Sequence, residues 1–334
     1  MRHVNIPIFI PHLGCPNQCV FCNQRKISGV ESFDPGSVAT IIDNALATVE
    51  EEATAEIAFF GGSFTGIDRS LMISLLEIAH SYIIGGRVKS IRCSTRPDYI
   101  DEEILDILKK YGVRTIELGL QSASDNVLEI SKRGHNFEAE RKSCEMIVSH
   151  GFELVGQMMI GLPGSDVESE ISTARFIASV GASAARIYPT VVFRETELCS
   201  MTEVGAYTPL TLEEAIVRSA AALEVFIEAG IEVIRIGLQS GEGLSDPESY
   251  AAGPNHPALG ELVIGEVYYN RICRLLSDAQ VSENDNIKIL VSPGAMSKAV
   301  GQNRRNRLRL AERYKNINFG EAEGIPEYGI LLDN

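Results

Sequence analysis

Cys15-Pro16-Asn17-Gln18-Cys19-Val20-Phe21-Cys22 follows closely on the apolar run Ile6-Pro7-Ile8-Phe9-Ile10. The run reads as a strand, and the cysteines read as a loop at its end. Three and then two residues separate the sulfurs, so one loop can aim all three at a single centre. Thiolates are soft ligands that suit iron–sulfur clusters and zinc. A four-iron cluster normally takes four cysteines, so three with no near fourth leave one iron open for chemistry. Zinc is the rival, with His12 as a further ligand, although zinc sites more often come as two Cys-x-x-Cys pairs or as paired cysteines and histidines. Unliganded buried thiols are the third reading. Cys93, Cys144, Cys199 and Cys273 are scattered and read as small hydrophobes without a role.

Outward from this loop, apolar segments alternate with amphipathic ones. Strands are expected over Glu56–Phe60, Val88–Cys93, Arg114–Gly119, Glu153–Ile160 and Ser183–Tyr188. Helices are expected over Ser37–Glu51, Asp101–Tyr111 with Asp101 as N-cap, Phe137–His150, Asp166–Val180 and Thr211–Ala229. Repeated βα units imply a parallel sheet covered by helices. With the first run, six such strands curl into a partial barrel, an α/β architecture whose site lies at the strands' carboxyl ends. The pattern weakens past residues 230–245, at Gly241-Glu242-Gly243 and Ala252-Gly253-Pro254-Asn255-His256-Pro257. We therefore expect a core over residues 1–235 and a small α+β extension over 236–334, a candidate substrate-binding region.

Composition bounds the function. The 334 residues are 45% hydrophobic, with mean hydropathy +0.04, ordinary for a globular protein. Seven cysteines without disulfide-like regularity suit a reducing compartment. The N-terminus reads as a strand rather than a signal peptide, and no apolar run reaches membrane-span length, so a cytoplasmic protein is expected. A net charge of −15 and a pI near 4.9 oppose broad phosphate binding and leave room for a local basic patch at most.

The cysteine spacing after the first strand resembles the cluster loop of the radical S-adenosylmethionine (SAM) enzymes. The resemblance covers about residues 4–230 and implies a (β/α)6 partial barrel. It implies a [4Fe–4S] cluster on Cys15, Cys19 and Cys22, whose open iron is chelated by the amino and carboxylate groups of SAM. Phe21 matches an aromatic residue that lies near the adenine. Gly61-Gly62, in Gly61-Gly62-Ser63-Phe64-Thr65, matches a segment that holds the SAM amino group, with Thr65 beside it; taken alone, two glycines mean an ordinary turn. Against oxygen-independent coproporphyrinogen III oxidase, Ser94 and Gln157 stand at ribose contacts where that enzyme has acidic residues. Gln121 matches a ribose or carboxylate contact, and Arg133 an arginine that pairs with the SAM carboxylate, a task that suits its planar fork. Singly, each of these residues also reads as a strand-end cap or a surface group.

Gly-Gly-Ser-Phe-Thr-Gly, Ser-Thr-Arg-Pro-Asp-Tyr-Ile, Arg-Gly-His and Ile-Tyr-Pro-Thr-Val-Val-Phe-Arg-Glu-Thr resemble the radical SAM part of the Elongator catalytic subunit, which modifies wobble uridines of tRNA. Glu195 stands where that family usually has glycine. The residues after Gly230 show no acetyl-CoA-binding glycine pattern, so the resemblance is to a bacterial relative without the acetyltransferase domain. It implies reductive cleavage of SAM, hydrogen abstraction by the 5′-deoxyadenosyl radical, and an electron donor such as flavodoxin or ferredoxin. A tRNA base and a tetrapyrrole or other small metabolite are the rival substrates, and a haem or iron–sulfur carrier of the same fold is the non-catalytic alternative. Lys298, Arg304, Arg305, Arg307, Arg309, Arg313 and Lys315 form a basic stretch. It fits RNA phosphates. A packed helix with a solvated cationic face and an apolar stripe of Leu308, Leu310, Ala311 and Tyr314 explains it too, and is the favoured reading because charge runs on helices are common. His256 sits either near a substrate or in a surface turn.

Overall fold

The computed structural model describes residues 3–10, 13–15, 19–23, 32–50, 53–238 and 249–333. His12 and Gly241-Glu242-Gly243 lie outside the described residues. Six parallel strands follow the expected order: β1 (His3–Ile10), β2 (Thr54–Gly61), β3 (Ser90–Thr95), β4 (Val113–Gln121), β5 (Glu153–Ile160) and β6 (Ala184–Pro189). A seventh, β8 (Glu232–Ile236), extends the sheet by pairing in parallel with β6, giving the order β1-β2-β3-β4-β5-β6-β8. Among the described residues the curled sheet is an open half-barrel.

Each strand has two unlike faces, because successive side chains point to opposite sides. One row holds Ile6, Ile8, Ile57, Phe59, Ile91, Cys93, Ile116, Leu118, Leu154, Met158, Ala185 and Ile187, all buried in one core with the helices. The alternate row carries the strands' charged and polar side chains, Glu56, Arg92, Ser94, Glu117, Gln157 and Arg186. These line the concave side. Glu117 is 1% exposed and accepts from Arg92 Nη1 at 2.9 Å, Arg186 Nη2 at 2.8 Å and Gln157 Nε2 at 2.8 Å. Arg92 also reaches Glu56 at 2.5 Å, and Ser90 Oγ donates to the same carboxylate at 2.7 Å. Buried charges persist only when paired and hydrogen-bonded, and here they balance.

The helices α1 (Val38–Leu46), α2 (Arg69–Ile84), α3 (Glu102–Lys110), α4 (Asp125–Ile130), α5 (Phe137–Ser149) and α6 (Val167–Ser179) precede α7 (Glu197–Glu203) and α8 (Leu212–Glu228). Their starts are chemically specified. Asp101 caps α3 by accepting from Ile104 N at 2.8 Å, Asn136 caps α5, and Asp166 and Thr211 form capping boxes. β3 runs two residues past its expected end, because Ser94 and Thr95 pair with Glu117 and Leu118 of β4.

After β8, α9 (Leu259–Asp278) joins two cores. Leu259, Val263 and Val267 pack on the barrel, while Tyr268, Ile272 and Leu276 belong to a second cluster. That cluster includes β10 (Asn286–Val291), flanked by β11 (Asn316–Glu321) in parallel and β12 (Ile330–Asp333) antiparallel, together with α10 (Met296–Val300) and α11 (Arg305–Ala311). The expected apolar stripe of α11 is narrower in the structure. Leu310 and Tyr314 are buried, whereas Leu308 is 62% exposed and Ala311 faces solvent, since a helix this short offers one face to β11, α9 and α10. Much of the basic stretch is internally paired. Arg305 meets Glu213 of α8 at 2.7 Å, Arg309 meets Glu266 of α9 at 2.5 Å, and Lys298 meets Glu327 at 3.3 Å.

Candidate active site

Backbone contact, rather than side chains, seats the cysteine loop. Gly62 N donates to Ile10 O at 2.9 Å and Ser63 N to Leu13 O at 3.2 Å, so the loop lies flat on the turn that ends β2. A Cβ on Gly62 would lie 2.1 Å from Leu13 O, and one on Gly14 would lie 2.1 Å from Ser63 O. No larger residue fits at either position. Val20 N donates to Ser131 O at 3.2 Å, and Leu198 N donates to Val20 O at 2.8 Å. Phe21 packs beside Val20, Val192, Leu198 and Cys199. The loop is thus held by the ends of β1 and β2, by α4, and by α7.

Cys19 is buried; Cys15 and Cys22 are half-buried. All three are free thiols, and among the described residues no three His, Cys, Asp or Glu side chains are gathered round a metal position. Their surroundings suit thiolate ligation. Arg133 Nη1 points at Cys19 Sγ from 3.3 Å and Arg96 Nη1 from 3.7 Å. Burial pushes the Cys15 thiol up, and the guanidiniums of Arg96 and Arg133 pull against it. Thiolate beside fixed cations is the state a metal ligand requires. By contrast, burial pushes Cys144 up to about 12, as fits an inert core thiol.

The remaining expected residues fall into two groups. Gln121 and Arg133 converge over Gly119. Arg133 Nη2 donates to Gly119 O, and the Gln121 amide nitrogen lies 3.0 Å from where a Gly119 Cβ would stand. Gln121 takes a left-handed φ of 74°, uncommon for a residue with a side chain. Gln121 Oε1 and Arg133 Nε are both buried without a hydrogen-bond partner. A buried acceptor and a buried cationic donor left open on two side chains that both reach Gly119 fit a ligand carrying an ammonium and a carboxylate, as the amino-acid end of SAM does. Ser94 and Gln157 instead face the charged concave lining, where Gln157 binds Glu117. Thr65 is occupied internally: its hydroxyl bonds Thr95 Oγ1 at 2.6 Å and donates to Tyr99 O at 2.8 Å, tying the end of β2 to that of β3.

Sequence reasoning missed several groups. Ser63 Oγ shares a hydrogen bond with Thr95 Oγ1 at 2.8 Å, and Arg96 forks onto Asp98 with two contacts of 2.9 Å. Asp98 lies 3.4 Å from His135 Nδ1, and His135 Nε2 lies 3.0 Å from Glu140. The Ser-Thr-Arg-Pro-Asp and Arg-Gly-His motifs therefore close on one another behind Cys19. Burial alone would raise Asp98, but hydrogen bonds from His135 and Arg96 outweigh it and hold the carboxyl well below its usual range. Glu195, at the family's glycine position, has a φ of 62°, which explains why glycine suits the site. β7 (Val192–Phe193) pairs antiparallel with β9 (Tyr250–Ala252), and a Gly253 Cβ would meet Thr190 O at 2.8 Å. The segment thus crosses the end of β6. There His256 Nδ1 accepts from Ala258 N at 3.1 Å, so the imidazole closes a local turn.

Known proteins are similar to this chain. The chain is 34% identical over 133 residues to the tRNA uridine(34) acetyltransferase of Methanocaldococcus jannaschii, covering 39% of this chain and 25% of that protein. It is 25% identical over 255 residues to Elongator complex protein 3 of Schizosaccharomyces pombe, covering 63% of this chain and 47% of that protein. It thus spans a quarter of the first relative and about half of the second. Among solved structures, the archaeal Methanocaldococcus infernus Elp3 with an N-terminal deletion shares the fold, with TM-score 0.61 at 21% identity over 80% of this chain and 67% of that one. The radical SAM C-terminal domain model matches residues 182–269. The radical SAM superfamily model matches residues 9–177, just over half the sequence, and the chain belongs to that superfamily, whose members use a [4Fe–4S] cluster and SAM.

Proposed function

We propose that Cys15, Cys19 and Cys22 hold the [4Fe–4S] cluster, that SAM is seated beside it, and that the enzyme abstracts hydrogen from a base of tRNA. One observation carries the site: two buried guanidiniums point at the Cys19 sulfur, and Gln121 and Arg133 each keep an unpartnered buried polar atom, at the carboxyl end of one parallel sheet. When bound, the cluster supplies the electron that cleaves SAM reductively. The chain's residues bind, orient and shield. Arg133 Nε offers a charge-assisted donor to the SAM carboxylate. Gln121 Oε1 accepts from its ammonium or a ribose hydroxyl, and Gly61 and Gly62 let backbone approach the amino group. Ser94 and Gln157 would offer polar contacts to the ribose, and Phe21 an aromatic face to the adenine. Thr65 braces the two strand ends beneath. The donor is an external flavodoxin or ferredoxin, and the compartment is the cytoplasm.

Two observations support tRNA: the similarity to relatives named tRNA uridine(34) acetyltransferase, and the exposed Arg304, Arg307 and Arg313. A small polar metabolite is the second reading, favoured by the charged lining of Glu117 and Arg186 on the concave face. Anaerobic reconstitution tests the site. The wild type should take up about four irons per chain and yield 5′-deoxyadenosine from SAM with a reductant, while the triple alanine variant of the cysteines takes up none. Full iron in that variant, or one zinc in the wild type, refutes the reading.

A further inference from the structure

Two guanidiniums reach the one Cys19 sulfur, and their surroundings differ. Arg133 keeps its Nε open and is the arginine suited to a ligand carboxylate. Arg96 has no such freedom. It is 4% exposed, its Nε and Nη2 are forked onto Asp98 at 2.9 Å each, and Nη2 also donates to the carbonyl of Arg133 and lies 3.5 Å from His135 Nδ1. Its backbone N–H donates to Ser63 Oγ at 3.4 Å, on the turn that carries the cysteine loop. With Nε and Nη2 both occupied, Nη1 points at Cys19 Sγ.

We propose that Arg96 is a redox-positioning residue: braced by Asp98, it aims a cationic N–H at Cys19 Sγ and raises the reduction potential of the cluster held there. The inference rests on the proposed ligation by Cys15, Cys19 and Cys22. One-electron reduction, by a flavodoxin or ferredoxin in the cell or by dithionite in a titration, adds one negative charge to the cluster, and no proton moves. A fixed cation hydrogen-bonded to a ligand sulfur stabilises that added charge, since net charge and hydrogen bonds to sulfur set such potentials. Asp98 opposes it electrostatically while holding it in place. The two residues therefore have opposite signs of effect, which a merely structural role would not produce.

The test is a redox titration, followed by electron paramagnetic resonance, of the full reconstituted chain. Arg96→Gln should weaken reduction at least tenfold, a negative shift of about 59 mV for one electron. Arg96→Lys keeps the charge and should recover part of that shift. Asp98→Asn keeps an amide oxygen that can accept from Arg96 and removes only the opposing anion, so it should shift the potential upward. An Arg96→Gln variant with wild-type iron and an unchanged potential overturns the assignment. If that variant takes up no iron, Asp98→Asn decides, and an unchanged or lowered potential overturns it. A wild type that binds no iron overturns the ligation itself and this inference with it, an outcome distinct from an iron-loaded chain whose potential ignores Arg96.

Discussion

At the scale of single residues, the site depends on backbone touching backbone. Gly14 has φ +72°, and its absent Cβ would lie 2.1 Å from Ser63 O and 2.7 Å from Ile67 N. Main chain cannot rotate aside as a side chain would. Gly230 has a similar φ of +69° with nothing within 4 Å. Gly230→Ala should therefore cost only the left-handed strain of about 1–2 kcal/mol and leave iron uptake intact. Gly14→Ala should keep the far-ultraviolet circular dichroism of the barrel yet lose the iron. Equal iron in the two variants would contradict the close packing. Glu140 gives a pH prediction. Burial pushes its carboxyl up from 4.5 to about 7, with hydrogen bonding and charge from His135 opposing the rise. The folded carboxyl holds its proton more tightly than the unfolded one, so its contribution is full below 4.5 and is lost as pH rises to about 7. Glu140→Gln keeps an acceptor for His135 without the charge. It should flatten the fall in urea midpoint of the cluster-free chain between pH 5 and 8, a difference on the order of 3 kcal/mol. A variant with the wild-type pH slope would refute this.

At the scale of elements, the strands and their polar ends are legible because their signals are local. An apolar run followed by cysteines, glycines or a proline marks where a βα unit turns. The charged concave face was also written in the sequence, as Arg92 between Ile91 and Cys93 and Glu117 between Ile116 and Leu118. What alternation does not give is which charge meets which, since Arg92 bridges carboxylates 36 and 25 residues away. Arg96 was illegible for the same reason, lying 77 residues from Cys19 in the chain. The seventh strand, Glu232–Ile236, was hidden because it is five residues long and its charges, Glu232 and Arg235, lie three apart and break the alternation. Helix Arg69–Ile84 gave little period because apolar residues occupy most of its surface. Arg92→Met should destabilise the fold by roughly 3–5 kcal/mol, because two buried carboxylates lose their shared cation. Arg92→Met/Glu117→Gln should recover part of that loss. If the double variant is no more stable than the single one in urea denaturation, the ladder is not what holds the concave face.

At the scale of the whole molecule, an acidic chain has to present a phosphate-binding surface if tRNA is its substrate. The basic stretch divides by partner. Arg305 and Arg309 are tied to Glu213 and Glu266, so they fasten the C-terminal region to the helices of the barrel, and Arg309 lies 3.5 Å above the Tyr269 ring. Arg304 and Arg307 are exposed beside them. Arg304 and its neighbour Asn303 have φ of 62° and 52°, a left-handed pair that turns the chain sharply before α11. The net charge of −15 repels RNA at long range, but at physiological salt charges beyond roughly 8 Å are screened, so a local patch can act. Two double variants separate the roles. Arg304→Gln/Arg307→Gln should leave the urea midpoint unchanged and weaken tRNA binding, reducing the slope of log affinity against log salt by about 2 if each arginine neutralises one phosphate. Arg305→Gln/Arg309→Gln should lower the urea midpoint, with the larger share of that loss from Arg309 beside the buried Glu266. Binding measured with the cluster-loaded chain, with SAM present and over a series of salt concentrations, decides the substrate class. If tRNA fails to bind the wild type even at low salt, or binds it with the same affinity and salt slope as Arg304→Gln/Arg307→Gln, the patch is not a tRNA site and the charged concave lining of Glu117 and Arg186 becomes the place to seek a small substrate.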